Sequence, residues 1–522
     1  MPTREEIWAA ADLPTRRLAG AALNPSTPVD LLLRLLAHGP RAVQMVLCRD
    51  RVLPEAVVDA VIRHPDPRVR ADFARNRFVT PAERARLVDD PEWLVRTLLA
   101  GGPSGMHYEE LPPLPDETIV HMMSTYDGDS LDGFFSWQIS LELRRRLPTH
   151  PVAKARVWGV GRWSSLPAET RAALLADPAD DVRERAENAA RHEDPAWVES
   201  TLPERSCHAR TGMLLYDALS RKVVDSVLTA PAREDERATL AANPTLPPDV
   251  VGMLASDPDP EVRGRIAGRV DLGPAERRSL AADPDPGVRR TVAAREDLGP
   301  EERRALAEDP DPKVRLAVSR HPAWAEEELT AIDYEVPLDD DFAFWPEPLT
   351  PRDPEAVRRD ALSSHPMLRR QAARVHTLPA DLVARLAADY DLGVRVLLAQ
   401  NHPDAPPALL LRSFLEYTGH QRERLAALPR FPTAGLAVHA DDEDPAVRAL
   451  AARDPETPSD VVDRLTRDPD PGVRAAFARH PSLPQARLAE LLDDEELVQH
   501  AAANPALGVD AIRALVAALP VS

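Results

Sequence analysis

Aspartate and arginine recur in this chain at a spacing that could carry chemistry. The heptapeptide DPDPxVR stands at Asp257–Arg263, Asp283–Arg289, Asp309–Arg315 and Asp468–Arg474. Each copy sets a carboxylate four residues before a guanidinium: Asp259 with Arg263, Asp285 with Arg289, Asp311 with Arg315, Asp470 with Arg474. The carboxylate can accept from free N–H groups at a helix start. The planar guanidinium can hold carboxylates or carbonyls in a fixed geometry. A row of such arginines can also read an anionic ligand. Catalysis fits least, because a catalytic site is not normally copied many times over. The repetition favours a ladder in which Asp caps a helix and Arg ties neighbouring repeats.

Other residues offer chemistry outside this rhythm. Aromatic residues make up 4% of the chain, so their clustering in two places stands out. The first, between Gly101 and Pro148, holds Tyr108, Phe134, Phe135 and Trp137. The second, between Ala331 and Arg352, holds Tyr334, Phe342, Phe344 and Trp345 around the acidic run Asp339–Asp341. These eight aromatics are candidates for partner binding, since loops on a rigid scaffold often carry function. They could equally fold back and patch the core where a repeat has decayed. DGDSLDG (Asp127–Gly133) resembles part of a calcium loop, but Asp132 and Gln138 stand where the EF-hand needs Gly and Glu. His64, His321, His365, His402 and His480 each precede a proline at a repeat junction or its second residue, positions often held by Asp or Asn, and read as turn residues. Cys48 and Cys207 are isolated, so neither a metal cluster nor a disulfide framework is expected. No HExxH, GxSxG, Walker loop or GxGxxG is placed on a suitable unit. No catalytic residue, cofactor or metal ligand is therefore assigned.

The elements that position these residues follow from the period. Val262, Val288 and Val314 are 26 residues apart, and a period of this size marks a solenoid. In Asp257–Asp283, Asp259 is the expected N-cap and Pro260 the first helical residue, where a missing N–H costs nothing. The turn DLGP leads to a second helix opened by Pro274. Two helices of roughly 9–10 residues with short links would fill the repeat. Thr80–Glu83 reads as a capping box. Leu166-Pro167, Leu378-Pro379 and Thr457-Pro458 open second helices in the same way as Pro274. Such short helices cannot stand alone, so stacking must bury them. The expected organisation is one continuous solenoid of roughly 17 repeats: N-terminal repeats over 1–100, an irregular insertion over 101–148, central repeats over 149–330, an acidic and aromatic insertion over 331–352, and C-terminal repeats over 353–522.

Charge bounds the partners. The net charge is −21, which argues against a general phosphate-backbone binder without excluding a local basic stripe. It suggests a basic partner or simply solubility. Basic residues are nearly all Arg, the only lysines being Lys154, Lys222 and Lys313. Base composition of the gene or a need for guanidinium forks would each give this bias. The N-terminus lacks an apolar signal region and no run is long enough to span a membrane, so a cytoplasmic, membrane-free protein is expected.

The stretches LPPDVVGMLASDPDPEVRGRIAGR (Leu246–Arg269) and LPQARLAELLDDEELVQHAAANP (Leu483–Pro505) resemble the leucine-rich repeat variant family. The resemblance runs over nearly the whole chain. It implies an all-α, right-handed solenoid of paired short helices, related in outline to HEAT and armadillo arrays. HEAT-type repeats share the DPDPxVR core but usually have longer helices. A cysteine-rich iron–sulfur module precedes the repeats in a member of the family, and the cysteines for it are missing here. The functional expectation is a non-enzymatic scaffold that binds a protein or peptide on the solenoid surface. A HEAT-like DNA glycosylase, with Trp324, Trp345 and Asp339–Asp341 imitating its site, and a cofactor lyase or chaperone are the alternatives.

Overall fold

The computed structural model describes residues 11–103, 112–126, 138–229, 234–336, 352–419 and 422–519. Among them every regular element is a helix, and helices stack in the repeating pairs of an α-solenoid. The chain divides into two compact units, Val160–Phe431 and a second made of Met1–Gly159 with Pro432–Ser522. Neither boundary falls inside the expected insertions.

In the unit Val160–Phe431 the plainest repeats are Pro260–Ala267 with Pro274–Ala281, and Pro286–Ala293 with Pro300–Ala307. Each of these helices has 8 residues, shorter than expected, with longer links between them. Pro occupies the first turn of each, where its fixed φ suits the helix. Val262, Ile266, Val288, Val292, Val314 and Val318 are buried at helical spacing, and Leu280 and Leu306 close the core from the second helices. Where Leu-Pro or Thr-Pro opens a second helix, the proline is the cap itself: Pro167, Pro379 and Pro458 each precede the first helical residue. Thr80 and Glu83 form the expected capping box.

First helices lie directly against one another along the stack, as Pro260–Ala267, Pro286–Ala293 and Pro312–Ser319 do. Successive second helices scarcely meet. The row of first helices is therefore the shorter, inward-curving side of the stack. Small residues such as Gly264, Ala267 and Ala293 permit that close approach.

The other unit is assembled from both ends of the sequence. Helix Leu13–Leu23 packs between Arg41–Arg49 and Val498–Ala502, so a first repeat and a last repeat are neighbours. Their shared core runs from Leu18 and Ala21 to Ala501, Ile512 and Val516. A Cβ on Gly20 would overlap the Gln499 carbonyl and lie 2.5 Å from the Ala502 Cβ, so only glycine fits this joint. Arg17 donates to the Leu492 carbonyl at 2.7 Å, and Arg513 pairs with Asp30 at 2.9 Å.

Candidate interaction surface

The DPDPxVR ladder divides its work between its two aspartates. The second one caps the first helix: Asp259 accepts from Glu261 N–H at 2.9 Å, Asp285 from Gly287 and Val288, Asp311 from Lys313, and Asp470 from Val473. The first one holds the arginine of the preceding repeat. Arg263 grips Asp283 through Nε and Nη2 at 2.7 and 2.9 Å, and its Nη1 donates to the carbonyls of Asp257 and Pro258. Arg289 does the same with Asp309, Asp283 O and Pro284 O. Arg70, Arg369 and Arg448 repeat the arrangement on Asp90, Asp389 and Asp468. The carboxylate partner of Arg263 thus lies 20 residues on, in the next repeat. All three guanidinium nitrogens are used, which lysine cannot imitate. Burial alone would raise the Asp283 carboxyl, but hydrogen bonds from Arg263 and the Asp285 N–H hold it below the ordinary range.

Two rungs differ. Arg315 reaches Asp333, 18 residues on and 96% exposed, and Arg474 reaches Glu496 at 2.5 Å.

A second set of tethers lies at the ends of first helices, and spacing did not reveal it. Asn243 donates to the carbonyls of Leu214 and Asp217 in the preceding repeat, both at 2.9 Å. Asn76 bonds Cys48 O and Arg51 O, and Asn504 bonds Ala478 O and His480 O. Arg295 takes the same place on Ala267 O. Asn24 makes this tether across the chain ends, to Ala502 O at 3.0 Å and Asn504 O at 2.6 Å. The histidines follow the same logic. In His64, His321, His365, His402 and His480, Nδ1 accepts the N–H two residues on, as an Asp or Asn side chain would. With Nδ1 accepting, Nε2 carries the proton in His321 and His480 and reaches back to Glu296 O and Asp454 O.

Of the eight aromatic candidates, Tyr108, Phe134, Phe135, Trp137, Phe342, Phe344 and Trp345 lie outside the described residues, as do Asp127–Gly133 and Asp339–Asp341. Tyr334 is half-buried and stacks on His365 with ring centroids 4.3 Å apart. His365 Nε2 meets Ser319 Oγ at 2.7 Å, a contact that resembles a nucleophile and its base. The tautomer argues otherwise. Nε2 donates to Ser319, and Ser319 in turn donates to Leu316 O at 2.8 Å. The serine proton is held by a carbonyl and the histidine has no free lone pair to take it. Burial, with Arg320 and Arg369 nearby, pushes His365 down to about 4. Trp324 donates to Val318 O and lies under Arg303 at 5.3 Å, a packing role. Gln138, at the twelfth place of the calcium-like stretch, is buried and donates to Leu99 O and Ala100 O.

Arg84 was also missed. It is 2% exposed, its Nε has no partner, and Gln138 Oε1 stands 3.5 Å from Nη1. Burial pushes its pKa down to about 10. An arginine in a capping-box helix reads as surface, so nothing in the sequence marked it.

Both helix rows of the unit Val160–Phe431 carry exposed residues, and the first-helix row also carries a groove. A shallow groove between Pro260–Ala267 and Pro286–Ala293 is lined by Glu261, Gly264, Arg265, Gly287, Arg290 and Thr291. The ladder and tethers use none of these side chains for joining repeats. Among the described residues no three His, Cys, Asp or Glu side chains converge as a metal site. No described helix is long and apolar enough to cross a membrane. A scan against protein-family models finds no match, and a search of the curated proteins finds no similar sequence.

Proposed function

We propose that the chain is a binding scaffold for a protein or peptide, engaged along the row of first helices. The observation that carries this reading is the division of labour within each first helix. Its capping Asp holds its own first turn, its Arg grips the next repeat, and its terminal Asn, Arg or His reaches back to the preceding one. The positions between them, such as Arg265, Arg290 and Thr291, line an open groove instead. Solenoids commonly use such an inward row for extended partners. The paired short helices and the 26-residue period also support membership of the leucine-rich repeat variant family as a proposal.

The test is to reverse charge on the two rows separately. Arg265→Glu with Arg290→Glu, and Arg75→Glu with Arg479→Glu, alter first helices. Arg278→Glu with Arg304→Glu alters second helices. A partner that co-purifies with the native chain should be lost from at least one first-row variant and kept by the second-row variant. Loss from the second-row variant alone would reject the reading.

A further inference from the structure

The end-assembled unit is made of two stretches, Met1–Gly159 and Pro432–Ser522, which the contiguous unit Val160–Phe431 separates in sequence. They meet at the joint between the chain ends. Leu13–Leu23 packs on Val498–Ala502 and Val509–Val516, and Val29–His38 packs on Val509–Val516. Leu18, Ala21 and Leu32 share one buried core with Ala501, Ile512 and Val516. Around that core Asn24 donates to Ala502 O and Asn504 O, Arg16 to Glu495 O at 2.9 Å, and Ser26 to Pro505 O at 3.3 Å. Two ion pairs flank these bonds, Arg17 with Asp493 and Arg513 with Asp30.

None of these contacts requires the two stretches to belong to one molecule. The tether from Asn24 is the one that Asn504 and Asn243 make inside the array, so stacked repeats set its geometry. The chain between the two stretches supplies proximity, which acts as an effective concentration. A second copy that presents Val498–Ala502 and Val509–Val516 meets the same glycine at Gly20, the same donors and the opposite charges. The unit Val160–Phe431 keeps its own core whichever molecule completes the other unit. The two faces of the joint differ, so one contact between copies is heterologous and leaves a face open on each. Reciprocal exchange closes both. The Met1–Gly159 stretch of each copy joins the Pro432–Ser522 stretch of the other, and two molecules then hold two complete end joints.

We propose that the end joint is an exchangeable interface whose alternative occupant is a second copy of this chain. Chains that fold when dilute close on themselves, and chains that fold at high concentration form a reciprocal dimer with the same contacts. The free energy of the contacts is common to both forms, so concentration and the order of folding events choose between them. This surface is separate from the groove beside Arg265 and Arg290, and the dimer does not depend on the scaffold reading.

The test uses two full-length variants, each with one side of the joint recharged. One carries Arg17→Asp with Asp30→Arg, the other Asp493→Arg with Arg513→Asp. Within either variant, closed or paired with itself, like charges face each other at both ion pairs. Between the two variants, one joint regains the native pairs and the other holds both pairs reversed. The variants are refolded together at high concentration, with one of them isotope-labelled, and sized by native mass spectrometry. Dimers with one copy of each should exceed like dimers about tenfold. The native chain should refold to monomer when dilute and to a growing dimer fraction as concentration rises. Gly20→Val should abolish that dimer, because it blocks the joint in either form. Hydrogen exchange over Val160–Phe431 checks that each variant folds, and the native series with Gly20→Val decides the matter if a recharged variant does not. Monomer at every concentration of the native chain, equal amounts of like and mixed dimers, or a dimer that survives Gly20→Val overturns the inference.

Discussion

The joint between the chain ends and the joint beside Asp333 solve one problem with different parts. At the ends, Asn24 repeats on Ala502 O and Asn504 O what Asn504 does on Ala478 O and His480 O. The joint is an ordinary one, made between residues 478 or more apart in sequence. Beside Asp333 the regular rung is missing. Arg315 falls back on an exposed carboxylate, and the gap is filled by Tyr334 stacked on His365, His365 bonded to Ser319, and Glu326 accepting from Ser364 N–H. The amide tethers of the end joint do not titrate, although His500 on Val498–Ala502 can. The joint beside Asp333 has a neutral buried histidine at its centre.

The largest effect should come from the end joint. Gly20→Val drives a branched side chain into Gln499 and Ala502 and should cost about 3 kcal/mol. Hydrogen exchange should show Leu13–Leu23 and Val498–Ala502 opening together. Gly264→Ala is the contrast, because its Cβ meets only Val288 Cγ2 at 4.0 Å. It should be neutral or stabilising by about 0.5 kcal/mol. Exchange that leaves the two terminal helices equally protected in Gly20→Val would break the comparison.

Acid should act on the other joint. His365 is held down to about 4 from its ordinary 6.5, so its folded form resists protonation. The linked stability is complete above pH 6.5 and is lost as pH falls toward 4, up to about 3 kcal/mol. His500 in the end-assembled unit is also held down to about 4, by burial and then by Arg479. Denaturant melts of His365→Asn and His500→Asn across that window assign the two losses. If neither substitution flattens the curve, the histidines are not its cause.

Paired deletions sharpen the claim of equivalence. Asn24→Ala and Asn504→Ala each orphan two buried carbonyls and should each cost about 2 kcal/mol. A much smaller cost at Asn24 would show that the end joint is weaker than an internal one. The smallest expected difference lies in the ladder. Arg263→Lys loses the fork on a buried Asp283 and should cost about 1–2 kcal/mol, while Arg315→Lys beside exposed Asp333 should cost under about 1 kcal/mol. Chemical melts of the two variants decide it.

The repeat itself was legible because its signals are local. Asp259, Pro260 and Val262 each act within one turn of where they stand, and all three behave as their types require. The particular partner of each arginine was less legible for the opposite reason. Arg263 chooses Asp283 because stacking brings the next repeat alongside, and spacing within one heptapeptide cannot show that. The end joint left a trace that went unread. Asn24-Pro25, Asn243-Pro244 and Asn504-Pro505 share one dipeptide, and each asparagine tethers backward. Asn24 tethers to Ala502 and Asn504 at the other end of the chain. Arg84 carried no pattern, since burial at one position obeys no period, and the aromatic cluster that marked Tyr334 did not show its stacking on His365.

The end joint also orders events during synthesis. The unit that contains Leu13–Leu23 cannot be completed until Val498–Ala502 exists, and closing so long a loop is entropically costly and slow. The unit Val160–Phe431 is contiguous and can finish its core first. The early repeats would then wait on the ribosome with one flank of Leu13–Leu23 uncovered. Limited proteolysis of nascent chains stalled before and after residue 502 would show that flank protected only in the longer chain.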